Sequence, residues 1–273
     1  MKQTVQYAAA ALIALLLFAS FSTAAMAASY ELSATAKKSF DRMSEAAGGS
    51  LRTRLAGQYA EWLELQERIR KSESDHKTLR QRNTESLKAA RERIRRIDEN
   101  KIAPLARAVS ETKERYKPLF DRYTQINKQI EAARPLKSKE LNTMLRLQAE
   151  SLKVAVQLAR QDIQAKEAAL KKAKDTAKAK QNQVNETLKA IREHEEASKT
   201  AKSAAAEIKK SLDADWKTFT PLVKEGAAAA AADKLAAMLT KLERMARHKA
   251  AMVDAEKSIA AIIDKANKQL SGM

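Results

Sequence analysis

A hydrophobic repeat with alternating steps of three and four residues runs through two long stretches of this chain, 51–133 and 141–219. Such a repeat places apolar side chains along one face of a helix, and helices of this kind wind around one another. Representative positions are Ile94, Ile97, Ile102, Leu105 and Val109 in the first stretch and Leu145, Leu152, Val156, Ala159 and Ile163 in the second. The repeat therefore predicts long helices that share a narrow apolar seam.

The composition agrees with helices that have few loops between them. Five glycines and four prolines occur in 273 residues, and 32% of the residues are charged. These values are typical of long helices and not of a domain with many turns. We predict an all-α fold, an elongated antiparallel coiled-coil hairpin whose third helix folds back to form a three-helix bundle at the base.

The repeat lapses at two places, and each lapse predicts a reversal of the chain. The first contains Pro135 and is followed by Ser138, a residue suited to the N-cap of the next helix. The second contains Pro221 and Gly226. The predicted segments are arms at 50–133 and 137–220 and a third helix at 227–270. In this antiparallel arrangement, residue i of the first arm would face residue 270 − i of the second.

Two further prolines, Pro104 and Pro118, lie within the first arm. A proline inside a helix costs about 3 kcal/mol and kinks or ends the helix. Because the repeat keeps its phase across both, we expect kinks in one continuing arm. The alternative is a short break at Asn100 and Lys101.

The first 27 residues have the pattern of a cleaved secretory signal peptide. Lys2 precedes an apolar stretch at 8–21, and Ala25-Met26-Ala27 is a small-x-small cleavage site. Residues 28–49 then form a short helical segment that ends at Gly48-Gly49, and 50–273 form one elongated helical domain. No later stretch is apolar enough for an integral membrane segment. The expected location is secreted, in the cell envelope or periplasmic.

Removing Lys2 with the signal peptide leaves 51 basic and 34 acidic residues, a net charge of +17. This excess predicts an anionic partner such as an envelope polymer. With the predicted pairing, two basic runs meet at one level of the arms, and an ordinary solvated surface is the alternative. The candidate anion-binding residues are Arg91, Arg93, Arg95, Arg96, Lys174, Lys178 and Lys180.

The chain contains three histidines, and the predicted pairing sets His76 opposite His194 with His248 nearby. Such a layer could bind a metal or respond to pH. No two histidines have the helical zinc spacing of four residues, however, so polar seam positions are the simpler interpretation. We expect no metal and no cofactor.

Two apolar groups need separate interpretations. Tyr59, Trp62, Trp216 and Phe219 should converge at the base, either as a ligand pocket or as the thickest part of the core. Near the first reversal the apolar residues exceed what one seam requires, which predicts a protein interface or a contact with the opposite arm. These interface residues are Leu141, Met144, Leu145 and Leu147.

No glycine-rich phosphate loop and no nucleophile elbow occurs in the sequence, and without cysteine thiol chemistry is excluded. We therefore expect a non-enzymatic structural or interaction protein that binds an anionic envelope polymer or a protein partner, with a homodimer as one option. The signal peptide disfavours nucleic acid. The alternatives are a membrane-active protein, for which Met238, Met245 and Met252 would supply an apolar face, or a holdase-type envelope chaperone.

Overall fold

The computed structural model describes residues 30–273, which form helices connected by short turns and no strand. The predicted all-α class is confirmed. The predicted signal peptide at 1–27 lies outside the described residues. The helices are α1 (Ala34–Ala47), α2 (Gly49–Arg95), α3 (Glu99–Ala133), α4 (Lys139–Lys189), α5 (Ile191–Glu225) and α6 (Ala228–Ser271), with a 3-10 turn at Arg134–Leu136.

Most helix ends lie close to the predicted positions because the residues there suit turns. Gly48 ends α1 with φ +65°, and Gly226 has φ +73° between α5 and α6. Both values belong to the left-handed region, which glycine enters without a steric penalty. Ser138 caps α4 by accepting a hydrogen bond from the backbone N–H of Leu141 at 3.4 Å, which confirms its predicted role.

The first arm is interrupted at a place that the repeat did not predict. α3 continues through Pro104 and Pro118, as expected, but α2 ends at Arg95, and Asp98 has φ +55°. Aspartate tolerates this left-handed conformation better than most residues. The Asp98 carboxylate also contacts Nζ of Lys180 at 2.8 Å and Nζ of Lys101 at 2.9 Å. One of these ion pairs is local and the other, with Lys180, connects the interruption to α4.

α3 and α4 pack side by side in opposite directions. Lys166 Nζ donates to Thr112 Oγ1 at 2.7 Å, and the Tyr116 hydroxyl donates to Asp162 at 3.2 Å. Both pairs place residue i opposite residue 278 − i. The predicted register of 270 − i was wrong by about two helical turns. The pattern of apolar residues defines the contacting face, but similar apolar residues recur along α4, so the polar pairs decide the axial position.

The described residues divide into two compact units, one formed by 30–70 with 208–246, and the other by 71–207 with 247–273. In the first unit, α1 packs on α2 through Phe40 and Tyr59, whose ring centroids are 5.0 Å apart. Arg54 of α2 pairs with Asp233 of α6, and Asp215 of α5 pairs with Lys234 of α6. α1 thus adds a further helix to the three that were predicted at the base.

The second unit has two apolar clusters. One joins the end of α2 to α4 and α6, and its buried members are Ile94, Ile97, Ala177, Val184 and Ala266. The other joins α5 to α6 through Ile191, Ile259 and Ile263, with Leu87 of α2 and Leu188 of α4 packed against it. Buried residues from several helices therefore hold the charged surface segments of this unit in place.

Two glycines allow a direct test of these backbone assignments. Gly57 lies inside α2 with no atom within 4 Å of a Cβ added there, whereas Gly226 has a positive φ. We expect Gly57→Ala to raise the free energy of unfolding by about 0.5–1 kcal/mol, because alanine favours the helix. Gly226→Ala should lower it by about 1 kcal/mol, because the left-handed conformation is strained for alanine.

Urea denaturation of the two variants beside the native protein measures both values. Destabilisation by Gly57→Ala would contradict the helical assignment at this position, and a neutral Gly226→Ala would contradict the left-handed turn.

Candidate functional site

The predicted anion-binding residues lie beside the apolar cluster that joins α2, α4 and α6. Arg95 and Arg96 fall between the buried Ile94 and Ile97, and Lys178 directly follows the buried Ala177. A packed core beneath them fixes the backbone that carries these flexible side chains. Residues from both predicted basic runs therefore lie beside one buried cluster. In the observed register of 278 − i, Lys174 and Lys178 lie opposite residues 104 and 100, so the two runs are displaced by about two helical turns from the common level that was predicted.

Two of the seven residues, the exposed Arg93 and the half-buried Lys180, form hydrogen bonds with other parts of the chain. Arg93 donates to Asn267 Oδ1 and to Ser271 Oγ of α6, both at 3.2 Å. Lys180, half-buried, contacts Asp98 at 2.8 Å and the main-chain oxygen of Met273 at 3.4 Å. Hydrogen bonds from Lys180 and Lys101 lower the pKa of Asp98. Arg93 and Lys180 are thus already engaged by groups of the chain itself.

The other five residues are exposed, and we name them the basic cluster: Arg91, Arg95, Arg96, Lys174 and Lys178. Arg95 forms an ion pair with Glu92 at 2.8 Å, which is a common surface contact of small energetic value. Arg91, Arg96, Lys174 and Lys178 form no ion pair within 4.0 Å among residues 30–273. Guanidinium groups can bind phosphate or carboxylate with two hydrogen bonds, and lysine adds charge.

The predicted histidine layer is not formed as a metal site. Residues 30–273 contain no group of three side chains suited to a metal ion. In the register of 278 − i, the residue of α5 opposite His76 is Lys202 and not His194. The positive charge of Lys202 accordingly acts on His76. His194 and His248 are each half-buried elsewhere in their helices.

His76 instead belongs to a buried polar contact between α2 and α6. Asn83 Nδ2 donates to the carboxylate and to the backbone oxygen of Glu256, both at 2.8 Å. His76 Nε2 lies 3.6 Å from Glu256 Oε1, and this nitrogen is buried without a hydrogen-bond partner among the described residues. Burial lowers the pKa of His76, Glu256 opposes this change, and the positive charges of Arg80, Lys249 and Lys202 add to it.

The aromatic cluster also contains Tyr30, which the sequence analysis did not predict. Tyr30 packs against Trp62 and Trp216, with ring centroids 5.9 and 5.7 Å away, and the two tryptophans stack at 5.7 Å. Trp62 Nε1 donates to the backbone oxygen of Tyr30 at 2.9 Å. Tyr30 packs against both stacked rings and Trp62 and Phe219 are fully buried, so the predicted aromatic group is a core and not an open pocket.

Tyr30 is also attached by polar contacts. Its hydroxyl donates to Asp213 Oδ1 at 2.5 Å, and its backbone N–H donates to Gln66 Oε1 at 3.1 Å. Burial, followed by the hydrogen bond and the charge of Asp213, raises the pKa of Tyr30. The available sequence signal was a single tyrosine three residues after the predicted cleavage site, outside any helical repeat, and its partners are distant in sequence.

The predicted interface residues near the first reversal separate into two groups. Leu145 is buried and Leu141 is half-buried. Met144 and Leu147 are exposed, with 54% and 67% of their surface accessible. The opposite arm therefore covers part of the apolar excess, and the rest faces outward.

The methionines considered for a membrane-active role are covered. Met238, Met245 and Met252 are 0%, 7% and 5% exposed. Among residues 30–273, no helix has an apolar stretch of the length needed to cross a bilayer.

A shallow groove of about 350 Å³ lies between α3 and α4. Its lining residues are Phe120, Tyr123, Thr124, Arg160, Ile163 and Gln164. This lining contains two aromatic rings and one cation but no carboxylate or imidazole that could act as a general base.

The comparisons with known proteins found no relative, so a function for this chain must be proposed from these contacts alone. No family model matches the chain, and no curated protein or solved structure is significantly similar to it.

The first prediction for the site concerns the attachment of Tyr30. Tyr30→Phe keeps the ring but removes the hydrogen bond to Asp213, and we expect the free energy of unfolding to fall by about 1.5 kcal/mol, as for hydrogen bonds to charged groups. Tyr123→Phe, at a half-buried position, is the control and should change it by less than about 0.5 kcal/mol. Chemical denaturation followed by tryptophan fluorescence measures both variants. Equal stability of Tyr30→Phe and the native protein would contradict the attachment.

We expect His76 to make the stability of the fold depend on pH. In the unfolded chain histidine titrates near its ordinary pKa of about 6.5, and in the folded protein His76 titrates lower. As the pH falls below about 6.5, the unfolded state therefore binds more protons at this residue than the folded state does. The resulting loss of stability grows until the pH passes the lower pKa of the folded state and is constant below it. His76→Gln should lose less stability than the native protein between about pH 7.5 and pH 5.

Thermal unfolding at the two pH values checks this, with His194→Gln as the control for removal of an imidazole elsewhere. An equal pH dependence of native and His76→Gln proteins would exclude His76 as the source.

Proposed function

We propose that this chain is an exported, non-enzymatic helical interaction protein that binds an anionic polymer of the cell envelope through the basic cluster. The observation that carries the proposal is the set of exposed cations without ion pairs, Arg91, Arg96, Lys174 and Lys178, beside a core shared by three helices. Their arrangement supplies positive charge on an ordered backbone.

Electrostatics favours a multivalent anion at this surface. Like charges on neighbouring positions repel one another, and an anion bound between them relieves the repulsion. The charge of the whole chain, +18, attracts polyanions over a longer range and increases their rate of encounter. A polymer with repeated phosphate or carboxylate groups fits these requirements better than a small neutral ligand.

The non-enzymatic part of the proposal rests on the sequence. It lacks the phosphate loop and the nucleophile elbow, and its carboxylates are spread along helices. Export rests on the signal-peptide pattern at 1–27, with secretion or retention in the envelope or periplasm as the destinations.

We also infer the finer architecture predicted from the repeat, an elongated antiparallel coiled-coil hairpin. The antiparallel contacts of α3 with α4, such as Thr112 with Lys166, support it. Small-angle scattering tests it, because a radius of gyration of about 18 Å, as for a globular domain of this size, would contradict an elongated form.

Binding to polyphosphate at increasing salt concentrations tests the anion proposal. In the test variant Arg91, Arg96, Lys174 and Lys178 are all replaced by Gln. Each lost phosphate contact reduces the slope of log K against log salt by about 0.7–0.9, so we expect the slope to fall by about three. The expected affinity at low salt is lower than that of the native protein.

The control replaces four other exposed cations, two arginines and two lysines, by Gln: Arg52, Arg68, Lys128 and Lys217. The same pair of variants is then tested on a purified envelope fraction. Absence of native binding at low salt, or an equal loss in the control, would overturn the proposal.

A further inference from the structure

Four large apolar residues of α4 remain exposed. Met144, Leu147, Val154 and Leu158 have 54%, 67%, 62% and 60% of their surface accessible. Isolated exposed apolar residues are common in proteins, but a contiguous group marks an interaction surface.

These residues lie on one face of the helix. With Ser151, they follow one another at steps of three, four, three and four, and we name the five residues the α4 stripe. This spacing is that of the a and d positions of a coiled coil. Each residue turns the helix by about 100°, so the stripe lies about 130° around the helix from the buried Leu145, Val156 and Ala159, which form the other apolar face of α4. α4 thus has two seams, of which α3 covers one.

No lysine or arginine occupies the margins of the stripe, although Lys153 pairs with Glu150 at 3.3 Å and Lys166 pairs with Asp162 at 3.5 Å. In a coiled coil the margins are the e and g positions, and here they are occupied by Thr143, Gln148, Glu150, Ala155, Gln157 and Asp162. The chain as a whole carries +18. An anionic membrane or polymer would require lysine or arginine at these margins, whereas a second basic chain can approach them without repulsion.

We infer that the α4 stripe is the contact between two copies of this chain. The stripe is nearly symmetric about Ser151, with Met144 and Leu158 each seven residues away. Two copies related by a two-fold axis at this residue place apolar side chains against one another on both sides. The small serine at the centre allows the helices to approach closely. A surface that is complementary to itself is the requirement of a symmetric dimer.

The length of the stripe limits the surface area that the contact can bury. Residues 144–158 extend over about 21 Å of helix. A contact along this length of helix buries less surface than a standard interface, which buries about 800 Å² on each partner. We therefore expect a reversible dimer. Dimerisation does not depend on the proposed polymer binding, because it uses residues outside the basic cluster.

Sedimentation equilibrium of the purified protein over a range of concentrations tests this contact. The test variant is Val154→Lys with Leu158→Lys, which adds charge to two exposed positions four residues apart. The control, Ala179→Lys with Gln183→Lys, makes the same change at exposed positions of α4 outside the stripe. Circular dichroism confirms that both remain helical.

We expect the test variant to raise the dissociation constant by at least about tenfold and the control to leave it within about twofold. A native protein that is monomeric up to about 200 µM, or an equal loss in both variants, would overturn the inference. Native binding to phosphatidylglycerol vesicles that is lost with Val154→Lys and Leu158→Lys, without a native dimer, would assign the stripe to lipid and also overturn it.

Cysteine cross-linking provides a second readout, because the native chain contains no cysteine. Ser151→Cys at the centre of the stripe should form a disulfide-linked dimer under mild oxidation. Lys153→Cys, at an exposed position about 130° from the stripe, should form less. Equal or reversed cross-linking would contradict a two-fold axis at Ser151.

Discussion

The burial of narrow apolar seams between neighbouring helices is the interaction on which the rest of this structure depends. An isolated helix gains little stability in water, and most helical stability in proteins comes from packing of an apolar face. Leu212 of α5, Leu242 of α6 and Val184 of α4 are completely buried, although each helix has a largely polar surface. Because a seam occupies only part of each helix, the remaining positions can carry the high charge of this chain without a cost to the core.

Apolar seams alone leave the axial position of the helices open, since a shift by one heptad again places apolar residues together. Buried polar pairs remove this freedom here. Thr112 with Lys166 aligns α3 and α4, and Asn83 with Glu256 aligns α2 and α6. A shift would leave these groups buried without partners, which costs more than the hydrogen bonds contribute. His76 lies at the same contact, 3.6 Å from Glu256, and its burial lowers its pKa.

The two proposed surfaces differ in chemistry in a way that allows both to act in one molecule. Four of the five residues of the basic cluster form no ion pair among the described residues, and the margins of the α4 stripe hold no lysine or arginine. On these proposals a polyanion would bind the first surface, and a second copy of the chain would bind the second. Pairing of two copies would double the number of basic clusters in one assembly. The effective concentration of the second cluster then increases the strength of binding to a polymer with repeated charges.

The sequence by itself determined the helical class, most helix ends and the presence of basic runs, because apolar spacing, glycine and serine positions and net charge act locally. It also located exposed apolar residues at Met144 and Leu147. Only the tertiary structure decided the helix register, the engagement of Arg93 and Lys180, the interruption at Asp98 and the packing of Tyr30 against two tryptophans. Each of these depends on polar partners far away in the chain. Each such pair joins two particular residues that are distant in sequence, whereas the apolar pattern repeats along the whole helix. The pattern therefore does not indicate which polar residues meet.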